Sequence, residues 1–211
     1  MTLLEPIPGP AYRIATSRLV IRCMDPVDAA LLTRAIEESL DHLLPWALWA
    51  MKEPLTIQKR VALLRDWRGN FDLGLDFDFG IFDPAESVVL GCARLNPHHG
   101  EILREIGYWI HKAHINQGYA TEVSAALTRV AFEIDHVKRV EIHCDPKNVR
   151  SAAVPRKLGF THEATLHNRA LNTAGNLRDS MVWTLFQEDY PSSYAAKTSL
   201  QAFDAIGRRI L

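Results

Sequence analysis

The run Tyr108-Trp-Ile-His-Lys-Ala-His-Ile-Asn-Gln-Gly-Tyr-Ala-Thr121 sets a single glycine between the end of an apolar segment and the start of a long periodic one. A helix that begins there exposes unpaired backbone N–H groups and a partial positive charge, and such a terminus binds phosphate. Gly118 and the small Ala120 let a ligand approach the backbone closely, and Thr121 adds a hydroxyl. A nucleoside triphosphate loop is excluded because the Gly-Lys-Ser/Thr ending is missing. The dinucleotide fingerprint is excluded because only one glycine stands in the turn. A plain strand-to-helix turn has the same local pattern, so the surrounding residues must decide. Glu105 shares a strand face with Gly107 and Trp109, where a carboxylate can be a general base, a solvated side chain or a salt-bridge partner. Ser151 can donate a proton or a hydrogen bond, although Asn148 and Ser151 also suit the opening of a short helix as caps.

Other residue types are less directive. His111 and His114 are three apart and His98-His99 precede Gly100, but no Cys, His and carboxylate set has metal-site spacing, so no metal is expected. Cys144 ends the alternation Val140, Ile142, Cys144 and reads as core more than as a nucleophile. Asp76 and Asp78 could favour a cationic ligand or form the wet face of an alternating strand. Pro155 has no N–H to give the carbonyl of Ser151, four residues back, which leaves that carbonyl open to another donor.

The elements that must position these residues alternate between strand and helix. Arg18 to Arg22 predicts a first strand, and Asp25-Pro26 a helix start whose stripe is Ala29, Leu32, Ile36 and Leu40. A loop with His42 to Trp46 and Trp49 follows, then a helix from Thr56 that buries Val61, Leu64 and Trp67. Phe77 to Ile81, Val88 to Leu95 and Glu105 to Ile110 predict three strands. Val123, Ala126, Leu127, Val130, Ala131 and Ile134 form one helical face. Val140 to Cys144, a short helix near Asn148, and strands near Phe160 to Ala164 and Ser180 to Leu185 complete residues 1–190. Leu200, Phe203, Ile206 and Ile210 predict a C-terminal helical extension over 191–211, packing on the domain or at a dimer interface.

The 211 residues, 47% hydrophobic and 23% charged, suffice for one buried core. A net charge of -1 gives no bulk attraction to nucleic acid or anionic membrane. The odd, scattered cysteines Cys23, Cys92 and Cys144 fit a reducing compartment, and no apolar run nears the roughly 20 residues that span a bilayer. Met1 to Pro10 lacks the charged and apolar regions of a leader, so a cytoplasmic protein is expected.

Gln117-Gly-Tyr-Ala-Thr-Glu122, the strand to Cys144, Asp145-Pro-Lys-Asn148, Ser151 and Lys157-Leu-Gly-Phe160 stand in an order that resembles the GNAT acetyltransferase superfamily. The likeness is strongest to its RimJ/RimL branch and extends from Arg18 to Phe186, through Glu105-Ile-Gly-Tyr-Trp109 and Arg178-Asp179. It implies one α/β (α+β) GNAT-like domain, a twisted, mostly antiparallel sheet of six or seven strands with helices on both faces. It also implies acetyl-CoA as co-substrate, its pyrophosphate on the amides of Gln117, Gly118, Tyr119, Ala120 and Thr121. Ile115 departs from the Gln or Arg that the family prefers there. The pantetheine arm would lie where Trp109 and Ile110 splay from Ile142 to Cys144, with Asn148 and Ser151 lining the thioester end. The open Ser151 carbonyl would hold a water or that arm. Glu105 takes the place of a catalytic base, and Trp46 and Trp49 that of an acceptor wall, although packing on the first helix would equally explain the tryptophans. The implied acceptor is the α-amine of a protein or peptide N-terminus; a small amine such as an antibiotic, polyamine or amino acid derivative, or CoA binding without turnover, are the alternatives.

Overall fold

The computed structural model describes residues 10–98 and 102–211. Nine strands form one sheet in the order β7-β8-β6-β5-β4-β3-β2-β1-β9. They are β1 (Arg13–Ala15), β2 (Val20–Cys23), β3 (Asp78–Phe82), β4 (Val89–His98), β5 (Leu103–Ile110), β6 (Arg139–Cys144), β7 (Thr161–Leu171), β8 (Leu177–Phe186) and β9 (Gln201–Phe203). Every neighbouring pair is antiparallel except β5 and β6, which run parallel. A parallel pair needs a crossover, and α4 (Tyr119–Glu133) supplies it.

Helices cover both faces. On one, α1 (Ala29–Glu37) and α3 (Ile57–Asp72) bury Leu32, Ile36 and Leu64 against Val20, Phe82 and Cys92. On the other, Val123, Ala126, Leu127, Val130 and Ala131 of α4 pack on Ile106, Ile110, Val140 and Ile142, with Leu158 of α5 (Val149–Leu158) beside them. Each fully buried Leu or Val there stabilises the fold by about 1.5–3 kcal/mol. Ala29, Leu32 and Ile36 of the stripe expected for α1 are buried, while Leu40 falls past its end. Val123 to Ala131 of the α4 stripe are buried with Ile134 just past its end, and Thr56 caps α3 by accepting from the Lys59 N–H at 3.4 Å.

Three expectations are corrected. The C-terminal segment is not a helix: after two short 3-10 turns, β9 pairs with β1 in antiparallel register. Asp204 Oδ1 accepts from the amides of Ile206 and Arg208, and Gly207 sits at φ +77°, so the chain turns where a helix would need to continue. Its burial alternates accordingly, with Ala202 and Asp204 inside and Gln201 outside. The sheet has nine strands, not six or seven, because β1 and β9 are three residues each and too short to show a period. β7 and β8 extend beyond the strands expected near Phe160 to Ala164 and Ser180 to Leu185, running to Leu171 and from Leu177 and leaving a tip of only residues 172–176.

The segment between α1 and α3 holds the four-residue α2 (Leu40–Leu43) and a 3-10 turn at Leu48–Lys52. Arg60, on the buried side of α3, pins its far end by donating from Nη2 to Glu53 at 2.7 Å and from Nε to Thr33 at 3.2 Å. Losing one partner of so buried an ion pair costs about 3–5 kcal/mol, which fixes where this loop rests. No described helix is long and apolar enough to cross a membrane.

Candidate active site

The parallel ladder between β5 and β6 holds at Leu103–Arg139, Arg104–Val140 and Glu105–Glu141, and then stops. Ile106 to Ile110 stay bonded to β4, and Ile142 to Cys144 to β8, so the two strands open into a wedge toward their C-terminal ends. Beside its mouth β4 carries a bulge, with Leu90 skipped between Gly91 opposite Ile81 and Val89 opposite Phe82. A bulge bends its strand and raises the local twist. The freed Leu90 carbonyl accepts from the His111 N–H at 2.8 Å. Gly91 makes the close approach possible: a Cβ there would meet the Trp109 carbonyl oxygen at 2.1 Å.

β5 runs into the loop singled out for phosphate. His111 Nδ1 accepts from the Ala113 N–H at 3.1 Å, capping a short 3-10 turn, and its Nε2 meets Glu38 at 3.0 Å. Lys112 donates its backbone N–H to Ser39 Oγ at 3.0 Å. Asn116 and Gly118 take left-handed φ of +61° and +84°, and α4 starts immediately after with Gly118 as its N-cap. Gln117 and Gly118 are exposed and Tyr119, Ala120 and Thr121 half-buried, so the first-turn amides face the open side. Arg18 donates to the Gln117 carbonyl at 3.1 Å and to Glu122 at 2.8 Å, which Thr16 also reaches at 2.6 Å. A lone carboxylate in that turn would repel an anionic ligand, and Arg18 neutralises it. The Tyr119 ring lies under the Arg18 guanidinium at 4.7 Å.

Across the wedge, Asn148 Oδ1 accepts from the Ser151 N–H at 3.1 Å, so Asn148 caps α5. The Ser151 carbonyl that Pro155 leaves without a helical donor is not open as expected. Tyr108 donates its hydroxyl to it at 3.1 Å and lies 3.2 Å from Ser151 Oγ. Burial pushes the Tyr108 hydroxyl far above its ordinary range, so it stays protonated. Burial also raises the Cys144 thiol, as befits the core position read from its alternation.

On the sheet face opposite α4, Glu105 and Trp109 point toward the α1 side. Glu105 is joined there by two residues that the sequence did not single out. His143 Nδ1 lies 3.7 Å from Glu105 Oε2, and His143 Nε2 lies 2.9 Å from Glu141. Arg139 Nε donates to the other Glu141 oxygen at 2.8 Å. Burial pulls the Glu141 carboxyl upward, but the hydrogen bonds from Arg139 and His143 outweigh it and leave it below its ordinary range. Trp49, 40% exposed, faces Trp109 at 6.1 Å between ring centroids. Arg178 of β8 reaches the Trp46 carbonyl at 3.5 Å and Asp145 at 3.6 Å, which ties the backbone at Trp46 to β8.

Asp78 forms no wet face: it is 6% exposed and takes a bidentate pair from Arg94 at 2.7 and 2.9 Å. Its burial raises its carboxyl despite Arg94. The His98-His99 pair before Gly100 falls largely outside the described residues, of which only the strand end at His98 is placed. Among the described residues no three His, Cys, Asp or Glu side chains are grouped to hold a metal. His143, Glu141 and Tyr108 were missed because only register and packing bring them to the wedge. The period-2 alternation of β6 does separate Glu141 and His143 from the buried Ile142 and Cys144.

Residues 18–161 match the family described as the acetyltransferase (GNAT) domain. The [ribosomal protein uS5]-alanine N-acetyltransferase of Escherichia coli strain K12 is 28% identical over 186 residues, spanning 86% of this chain and 94% of that protein. Mycobacterium smegmatis RimJ, solved in complex with CoA-disulfide, superposes with a TM-score of 0.76 at 25% identity, over 90% of this chain and 95% of its own. A Salmonella typhimurium acetyltransferase that modifies the N-terminal serine of ribosomal protein L7/L12 has a TM-score of 0.70 at 18% identity, covering 81% and 96%, and speaks for the fold alone.

Proposed function

This chain belongs to the GNAT acetyltransferases, which use acetyl-CoA, and on that premise we propose that it acetylates the α-amine of a protein or peptide N-terminus. The observation that carries the reading is the wedge. Its unpaired strand edges run from Glu105, where the parallel ladder stops, toward the loop that leads into the first-turn amides of α4, and Tyr108 on the same strand holds Ser151. The edges can take an amide-bearing arm as an added strand, and the helix terminus suits a pyrophosphate. A uS5-alanine relative matched over nearly its whole length supports the choice of acceptor.

Acetyl-CoA supplies the activated acyl group. Every other part belongs to the chain. Trp46, Trp49 and Trp109 wall the slot through which an amine approaches from the α1 side. Glu105 accepts the proton the amine must lose. The backbone of Gln117 to Thr121 fixes the donor's phosphates, with Trp109 and Ile110 along the arm. Ser151, oriented by Asn148 and Tyr108, offers its hydroxyl to the departing sulfur. An α-amine of pKa near 8 is about one-tenth neutral at pH 7, so a single modest base suffices, whereas a lysine near 10.4 would be far harder to activate.

Thiol release from acetyl-CoA, measured in parallel on free-N-terminal peptides, N-blocked peptides with internal lysine, and a panel of polyamines and aminoglycosides, tests this. Release with the free N-termini alone is expected. Release with the small amines alone would transfer the site to that acceptor class. Silence with all three, while acetyl-CoA still raises the melting temperature, would leave a binding module.

A further inference from the structure

We propose that His143, held between Glu105 and Glu141, is the positioning and proton-storing residue of this site and carries the acceptor's proton from Glu105 to solvent. The inference rests on the acetyl-transfer reading and deepens it. An α-ammonium acceptor sheds two protons per turnover, one before its nitrogen can attack and one after the new C–N bond has formed. The C–S bond breaks, one proton ends on the sulfur, and the other leaves as a solvent proton. One carboxylate suffices as the base but holds only one proton at a time, so a neighbouring acceptor that empties it readies the base for the next transfer.

The geometry supplies it. Glu105 and Glu141 are register partners on neighbouring parallel strands, and His143 stands two residues beyond Glu141 on the same face. Arg139 fixes Glu141 through 2.8 Å, and the Glu141 carboxylate fixes His143 Nε2 through 2.9 Å. An ionised carboxylate only accepts, so Nε2 carries the hydrogen and Nδ1 turns its lone pair toward Glu105, 3.7 Å away. Once Glu105 has taken a proton, a small side-chain rotation closes that distance to a hydrogen bond from its carboxyl to Nδ1. A proton passed from Glu105 to Nδ1 makes an imidazolium flanked by two carboxylates. The imidazole is about one-third exposed, which gives the proton its exit. The remaining neighbours are consistent. Val182 of β8 lies opposite His143, Thr184 opposite Glu141 bonds Glu163 of β7, and Arg94 of β4 stands one step beyond Glu105.

The test combines the pH dependence of kcat, at saturating peptide, with 15N-histidine NMR of the wild type, His143→Gln, Glu141→Gln and Glu105→Gln. In the wild type kcat should fall on the acid side as the imidazole becomes occupied. His143→Gln should lower kcat by about 10- to 100-fold, leave the KM for acetyl-CoA unchanged and abolish that acid limb. Glu141→Gln removes a negative charge beside the imidazole, so the limb should move to lower pH. By NMR the neutral His143 should carry its hydrogen on Nε2, and its ring 15N shifts should change in both Glu141→Gln and Glu105→Gln. An unchanged pH profile in His143→Gln, an Nδ1–H tautomer, or ring 15N shifts indifferent to Glu105 would overturn the proposal. The NMR needs no acceptor, so it decides the relay even if no peptide is acetylated, and silence in the assay alone would count against the acceptor and not against His143.

Discussion

The two banks of the wedge are made of different material. The loop proposed to hold phosphate is built from backbone: a left-handed Asn116, a left-handed Gly118 and the first turn of a helix. The proposed acceptor bank is built from side chains on different strands, Glu105 on β5, Glu141 and His143 on β6, Arg178 on β8, with Trp49 of the α1–α3 connection beside Trp109. A backbone site is made by consecutive residues, so it tolerates side-chain change. A side-chain site exists only once the strand register is set, so single atoms matter there.

That contrast can be broken by experiment. The largest effect belongs to Glu105→Gln, which should lower kcat by about 100-fold or more and leave the KM for acetyl-CoA within about twofold. A loss of acetyl-CoA affinity instead would mean that the two banks are not separable. Gly118→Ala acts on the other bank. Alanine at φ +84° carries about 1–2 kcal/mol of strain, and the affinity for CoA measured by calorimetry should fall by about 3- to 10-fold with kcat little changed. Its Cβ would stand 3.6 Å from Arg18, an ordinary contact, so the effect is conformational and not a clash. Trp49→Ala is the smallest. Losing a half-exposed ring at 6.1 Å from Trp109 should raise the acceptor KM by about 2- to 5-fold and leave CoA affinity alone. If Trp49→Ala changes nothing in the acceptor KM, the loop packs on its helix and forms no wall.

The same contrast decides what could be read in the sequence. Gly118, the stripe of α4, the alternation of Val140 to Cys144 and the cap at Asn148 are local patterns, and each is found where it was expected. Glu105 was legible as a face-sharing strand carboxylate, and its partners were not, because nothing in Glu141 or His143 announces that Glu141 pairs with Glu105. Asp78 shows the opposite failure. Alternation suggested a solvated side chain, and Arg94, sixteen residues on, made burial tolerable. The C-terminal stripe from Leu200 to Ile210 misled because four apolar residues at helical spacing carry less weight than one Asp204 turn closing at Gly207. Pro155 was read correctly as freeing a carbonyl, and Tyr108 could not be foreseen as its donor across 43 residues.

His111 and Ser39 bear on how such a scaffold can be altered. The imidazole spans from Glu38, at the end of α1, to the turn that opens the phosphate loop, and Lys112 is bonded to Ser39 beside it. On the proposed reading, the stretch that would be exchanged to admit a new acceptor therefore contains two of the struts on which the donor's loop stands. A graft of residues 40–56 alone keeps those struts, whereas one that begins a few residues earlier dismantles a neighbouring site that it never touches in sequence. The proposed acceptor wall is a replaceable part only if the cut is made after Ser39.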